Sequence, residues 1–103
     1  MTRPRRLRRI CFKPDVFYFK PRGIPLRELE EVVLRLDELE ALKLYEVDDF
    51  DQIQSAKKMG VSQPTFGRIL ASARKKVAQA IIGGQAIRIE KKLTISKKKT
   101  LCL

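Results

Sequence analysis

The 103-residue chain contains no histidine, no tryptophan and only two cysteines. Without histidine it lacks the usual acid/base group of neutral pH, every Ser-His-Asp or Cys-His arrangement and every His-ligated metal site. Cys11 and Cys102 lie near opposite ends, so no Cys-x-x-Cys pair exists and one chain holds too few thiolates for a structural zinc site. A terminus-to-terminus disulfide between them is the less favoured state. No run of about 18 apolar residues occurs. The Arg-rich start leads into proline and charge rather than an apolar signal region, and Cys102, second from the end, does not fit a prenylation box. The expectation is a cytoplasmic protein with no membrane partner, no metal, no cofactor and no enzymatic role. At 11.9 kDa and 44% hydrophobic content, the chain has room for one small domain, too little for separate cofactor and substrate domains.

Positive charge is abundant, at 23 Lys+Arg against 12 Asp+Glu and a net +11. It is also segregated. Residues 1–27 carry nine cations and one acid, residues 28–54 two cations and ten acids, and residues 55–103 twelve cations and one acid. The acidic middle is open to pairing with the basic ends, but 21 of the 23 cations lie in those ends and leave a surplus that a polyanion would satisfy.

The first block, Arg3-Pro-Arg-Arg-Leu-Arg-Arg9, is too charged to fold alone and reads as an arm, with a short strand expected at about 16–19. Residues 26–36 fit either a helix of a few turns or a short helix followed by an extended piece. Asp37-x-x-Glu40 is read as a capping box opening a helix over 37–46, and Asp51-x-x-Gln54 as a second one opening 51–59. Asp48, Asp49 and Asp51 lack the central Gly and terminal Glu of a calcium loop, so no metal is expected there. Gln85-Ala-Ile-Arg-Ile-Glu90 alternates as a half-buried strand does and is expected to pair with 16–19; a mobile basic tail follows. The expected division is 1–25 arm and strand, 26–84 helical domain, 85–103 strand and tail.

Met59-Gly60-Val61-Ser62 joins two helices. Gly60 is free to take a positive φ, Ser62 can cap the next helix, Val61 and Phe66 have staple spacing, and Pro64 falls in the first turn. Ala56 lies four residues before Gly60, and Ile53, Met59, Val61, Phe66 and Ile69 are expected to fix the crossing. This is helix-turn-helix spacing, although an ordinary helix corner shares it. In the next helix, 63–82, an apolar stripe of Phe66, Ile69, Leu70, Ala73, Val77 and Ile81 opposes Arg68, Ser72, Lys75 and Gln79. A recognition helix so built would present Gln63, Thr65, Gly67 and Arg68 to base edges. Ser62, Ser72, Arg74, Lys75 and Lys76 would meet phosphates, with Arg3, Arg5, Arg6, Arg8 and Arg9 from the arm.

Phe19-Lys-Pro-Arg-Gly-Ile-Pro-Leu-Arg-Glu-Leu-Glu30, Asp37-Glu-Leu-Glu-Ala-Leu42, Met59-Gly-Val-Ser-Gln-Pro-Thr-Phe-Gly-Arg-Ile-Leu70 and Ala86-Ile-Arg-Ile-Glu90 together resemble a prokaryotic family of predicted DNA-binding proteins, domain of unknown function 134. The helical part also resembles the helix-turn-helix of sigma-factor region four. The resemblance implies a mainly α fold, a three-helix core with a basic arm and flanking strands, and DNA binding, but no operator or ligand. Ser55 stands where relatives tend to have Ala, Lys57 and Lys58 where they are more acidic, and Leu7 where many have Cys.

The expected function is sequence-specific binding of double-stranded DNA by a transcriptional regulator, as a homodimer on two half-sites. Competing expectations are a general nucleic-acid or RNA binder, in which Phe17, Tyr18 and Phe19 stack on bases, and a module whose acidic 28–54 segment contacts a protein such as RNA polymerase.

Overall fold

The alternating residues near the end of the chain form the central strand of a three-stranded sheet in the computed structural model, which describes residues 8–90 apart from the Leu26 side chain. The strands are β1 (Tyr18–Phe19), β2 (Glu31–Leu34) and β3 (Ala86–Ile89), in the order β1-β3-β2. β3 runs antiparallel to β1, with Tyr18 opposite Arg88, and parallel to β2, with Val32 opposite Ile87. The expected pairing of the two strand segments is therefore present, with β1 shorter than 16–19. Of the two readings of 26–36, the second holds: a 3-10 turn at Leu26–Glu28 precedes β2. Val32 and Leu34 point inward while Glu31 stays exposed, the period-two pattern of a half-buried strand.

Three helices carry the rest: α1 (Leu36–Leu42), which continues as a π-helical turn over Lys43–Val47, α2 (Gln52–Met59) and α3 (Gln63–Gly83). The fold is mainly α with a small sheet. Asp51 and Gln54 do form a capping box at α2, with Oδ1 of Asp51 accepting from the Gln54 N–H at 2.7 Å and Oε1 of Gln54 accepting from the Asp51 N–H at 3.1 Å. The box expected at Asp37 and Glu40 does not form. The N-cap of α1 is Arg35, whose N–H donates to Glu38 at 2.9 Å, because Leu36 is needed in the core and starts the helix earlier. Cys11 is disulfide-bonded rather than a free thiol, against the state favoured from spacing. Arg3, Arg5, Arg6, Cys102 and the basic tail lie outside the described residues.

Two apolar clusters share α3. Phe66, Ile69 and Leu70 pack with Ala41, Leu44, Ala56 and Met59; Ala73 joins Leu34, Leu36 and Ile89 against the sheet. Leu42 packs on both. Ile53 and Ile81, expected in the core, are 57% and 71% exposed; Ala80 continues the buried stripe instead, since the 3.6-residue repeat from Ala73 lands there.

Glu38, fully buried on α1, ties the helices together. It accepts from Lys76 Nζ at 2.8 Å and Ser72 Oγ at 2.6 Å, both on α3, and from the Arg35 backbone. Burial alone would push its carboxyl up, but the hydrogen bonds from Lys76, Ser72 and Arg35 more than reverse that and hold it below its ordinary value. Its stabilisation therefore holds above the unfolded pKa and is lost as pH falls through the lowered folded one. Lys76→Met should cut the unfolding free energy by about 2–3 kcal/mol near pH 7. That is less than for a fully enclosed pair, because the lysine side chain is 28% exposed. Urea titrations should show the difference from wild type shrinking at acidic pH, as the Glu38 carboxyl becomes protonated.

Candidate nucleic-acid interface

A glycine that can turn left-handed sets the corner between α2 and α3. Gly60 caps α2 at φ 71°, ψ 34°, with its N–H directed to the Ala56 and Lys57 carbonyls. Two residues on, Ser62 Oγ accepts from the Thr65 N–H at 3.2 Å and donates to Thr65 Oγ1 at 2.9 Å, starting α3 with Pro64 in its first turn. Ala56 and Met59 meet Phe66, Ile69 and Leu70 at the crossing, and Val61 packs against the same cluster. The Tyr45 ring flanks Phe66 at 6.4 Å between centroids.

Beyond the corner, α3 carries Arg68, Arg74, Lys75 and Lys76 and no acidic residue. Gln63 and Arg68 are exposed and Thr65 and Gly67 half-buried, so the four residues expected at base edges occupy the first two turns of one helix. Arg68 shares its solvent face with Pro64, Ala71 and Lys75, at helical spacing. Among the described residues, neither Arg68 nor Lys75 makes an ion pair. Gly67 has no packing requirement for its missing side chain, because an added Cβ would reach only ordinary contact, 3.6 Å from Gln52 Oε1.

The residues expected at phosphates divide. Lys75 is exposed and open. Ser72, expected opposite the apolar stripe, and Lys76 both turn inward to Glu38, because positions 72 and 76 border the buried row of α3. Arg74 Nε donates to Glu46 at 2.6 Å and its guanidinium lies 5.2 Å from the Tyr45 ring. Ser62 is engaged as the cap. Arg8 lies 3.5 Å from buried Asp37.

Arg9 docks on the corner itself. Its N–H donates to the Met59 carbonyl at 3.0 Å, and its guanidinium reaches the Lys57 and Lys58 carbonyls at 3.4 Å, at the end of α2 where carbonyls run out of helical donors; that of Lys57 also takes the Gly60 N–H. Glu40 holds the chain two and three residues further on by accepting from the Cys11 and Phe12 N–H groups at 3.2 and 2.9 Å. Burial pushes the Glu40 carboxyl up, against the opposing pull of those two N–H groups. Glu40 was missed as an anchor. Its signal was its place in the i, i+4 row Leu36, Glu40, Leu44, an acid where the row is otherwise apolar.

Phe17 packs against the sheet-side core and the Tyr18 hydroxyl donates to Glu31 at 2.8 Å, which leaves Phe19, 51% exposed, as the open ring of the three. The acidic segment is largely engaged: Asp37, Glu38 and Glu40 are buried, while Glu31, Glu46 and Asp48 pair with Arg88, Arg74 and Lys43. No helix among the described residues is long and apolar enough to cross a membrane.

Residues 1–95 match the model of a family described as protein of unknown function DUF134. A UPF0251 protein of Moorella thermoacetica is 57% identical over 90 residues, which are 87% of this chain and 60% of that protein. One from Desulforudis audaxviator is 53% identical over 90 residues, 87% and 59% of the two chains, and one from Caldanaerobacter subterraneus is 50% identical over 87% and 76%. The chain thus spans about 60% of the length of the first two relatives. No solved structure matches. Agreement over 95 of its 103 residues makes this chain a member of the DUF134 family, whose proteins carry the name UPF0251.

Proposed function

We propose that the α2–Gly60–α3 unit is a helix-turn-helix resembling that of sigma-factor region four, and that the protein is a sequence-specific regulator of transcription acting on double-stranded DNA. The observation that carries this reading is the first two turns of α3: Gln63 and Arg68 stand exposed beside glycine and alanine, on a helix without acids, with Arg68 unmatched by any ion pair among the described residues. A guanidinium placed this way can form two parallel hydrogen bonds to guanine O6 and N7, and Gln63 can pair with adenine. Gly67 and Ala71 allow the helix backbone to lie close to the groove floor.

Arg9 is fixed at the corner, and Arg3, Arg5 and Arg6, which precede it in the sequence, are assigned to phosphates or the adjoining minor groove. Lys75 continues the phosphate contacts along α3. A second copy on a second half-site would give the affinity that one short reading helix lacks. RNA polymerase as a partner, through the acidic segment, finds little support, since most of that segment's carboxylates are buried or paired.

Selection of random duplexes on the purified protein tests the reading. A winner bound at least about a thousandfold tighter than its scramble supports it, and uniform affinity across duplexes, or preference for structured RNA, rejects it. Arg68→Ala should cost about 1–3 kcal/mol on the winning site and relax preference at one base pair, as read by fluorescence anisotropy on single-base variants. Gly67→Ala should separate fold from function: unfolding stability should rise by up to about 1 kcal/mol while affinity for the winner falls. Lys75→Ala should weaken all duplexes alike and reduce the salt slope by about one unit.

A further inference from the structure

The N-terminal segment does not lie flat on the helices. Between residues 9–13, the segment from Glu40 through the π-helical turn to Phe50, and the end of α2 opens a cleft of about 590 Å³, within the size range of small-molecule sites. Buried Leu44 and Glu40 line it, with the rings of Phe12 and Phe50. Each ring carries an ammonium group: Lys43 Nζ lies 5.8 Å from the centre of Phe12, and Lys58 Nζ 4.7 Å from that of Phe50. Arg9 and Lys13 add two more cations to the lining.

Charge in this cleft is unbalanced in a way that the fold does not use. Of its two carboxylates, Asp48 is taken by Lys43 at 2.7 Å and Glu40 by two backbone N–H groups. Among the described residues, Lys13 makes no ion pair, and Lys58 has only the Phe50 ring. Aromatic faces with adjacent uncompensated ammonium groups recognise a flat ring joined to an anion: the ring lies on Phe12 or Phe50, and the charge meets Lys13 and Lys58.

We propose that this cleft binds a flat organic anion, an aromatic ring bearing a phosphate or carboxylate, and that occupancy regulates DNA binding through the corner. Ligand binding itself stands apart from the DNA reading; only the regulatory consequence rests on it. Lys58, in the last turn of α2, and Arg9, docked on the end of that helix, both line the cleft; the Arg9 N–H bonds to Met59 and its guanidinium to the carbonyls of Lys57 and Lys58. An anion that draws either cation toward itself alters how the arm is held beside Gly60 and α3, and so discriminates between two arrangements of the DNA-facing end.

Adenosine 5′-monophosphate serves as the probe, with adenosine as ring without anion and inorganic phosphate as anion without ring. In amide NMR titrations of the whole chain, the nucleotide should shift Phe12, Lys13, Lys43, Phe50 and Lys58 with a Kd below about 1 mM, at least about tenfold tighter than either fragment. Phe12→Ala, and separately Lys13→Ala with Lys58→Ala, should weaken it at least about fivefold, whereas Arg68→Ala should leave it unchanged. Equal binding of phosphate and nucleotide, shifts centred on residues 63–68 and lost in Arg68→Ala, or no shift at about 10 mM would overturn the proposal. Duplex affinity measured first without and then with nucleotide keeps the two readings apart. Nucleotide binding to a protein that ignores duplex DNA leaves the site and removes the regulation, and duplex binding without nucleotide binding removes the site alone.

Discussion

Glu38 is enclosed on α1, held locally by the Arg35 backbone, and takes hydrogen bonds from Lys76 and Ser72 of α3, so the two helices cross where both α3 donors reach one carboxylate. A buried charge left with fewer donors is costly, which makes the crossing angle and register of α1 on α3 a matter of charge matching as much as of apolar contact. Asp37 and Glu40 flank it on the same short helix. Through Arg8 and the Cys11 and Phe12 amides, they bring the N-terminal segment to the helical body. The acidic middle of the chain thus acts as an internal counterpart for its basic ends.

That arrangement also decides which cations remain available. Ser72, Arg74 and Lys76 are committed to Glu38 and Glu46, while Arg68 and Lys75 on the far side of α3 are not. Ser72 and Lys76 thus form one committed flank of the helix and Arg74 the other, and the free cations stand exposed between them. The end of α2 has a similar double character: its carbonyls receive Arg9, and Lys58 beside them faces the cleft. The proposed reading surface and the proposed ligand site thus meet at the residues around Gly60.

Local rules carried most of the helical part. Asp51 with Gln54, Gly60, Ser62 and Pro64 act within a few residues of themselves, and each was legible because its partner is a neighbouring backbone group. β3 was legible from alternation. The start of α1 was misread because Asp37 and Glu40 have cap spacing but are drawn inward by residues 8 to 12, some thirty positions away, which no local rule registers. The same limit hid the inward turn of Ser72 and Lys76. Ile81 was misplaced by extending the apolar stripe one residue off the helical repeat, whereas Ala80, less conspicuous by hydrophobicity, occupies the buried position. Of the candidate interface, the corner and the exposure of Gln63 and Arg68 were readable; the cleft was not, since its walls come from three separated segments.

β1 and β2 never pair with each other; each is bonded only to β3, the last element in the described chain. Neither of the two earlier strands has a strand partner until residues 86–89 are in place. A chain interrupted after Gly84 would lose not one strand but the entire sheet, together with the hydrogen bond from the Leu36 N–H to Glu90 that joins the sheet to the start of α1. The last few of the described residues therefore act as the latch of the sheet.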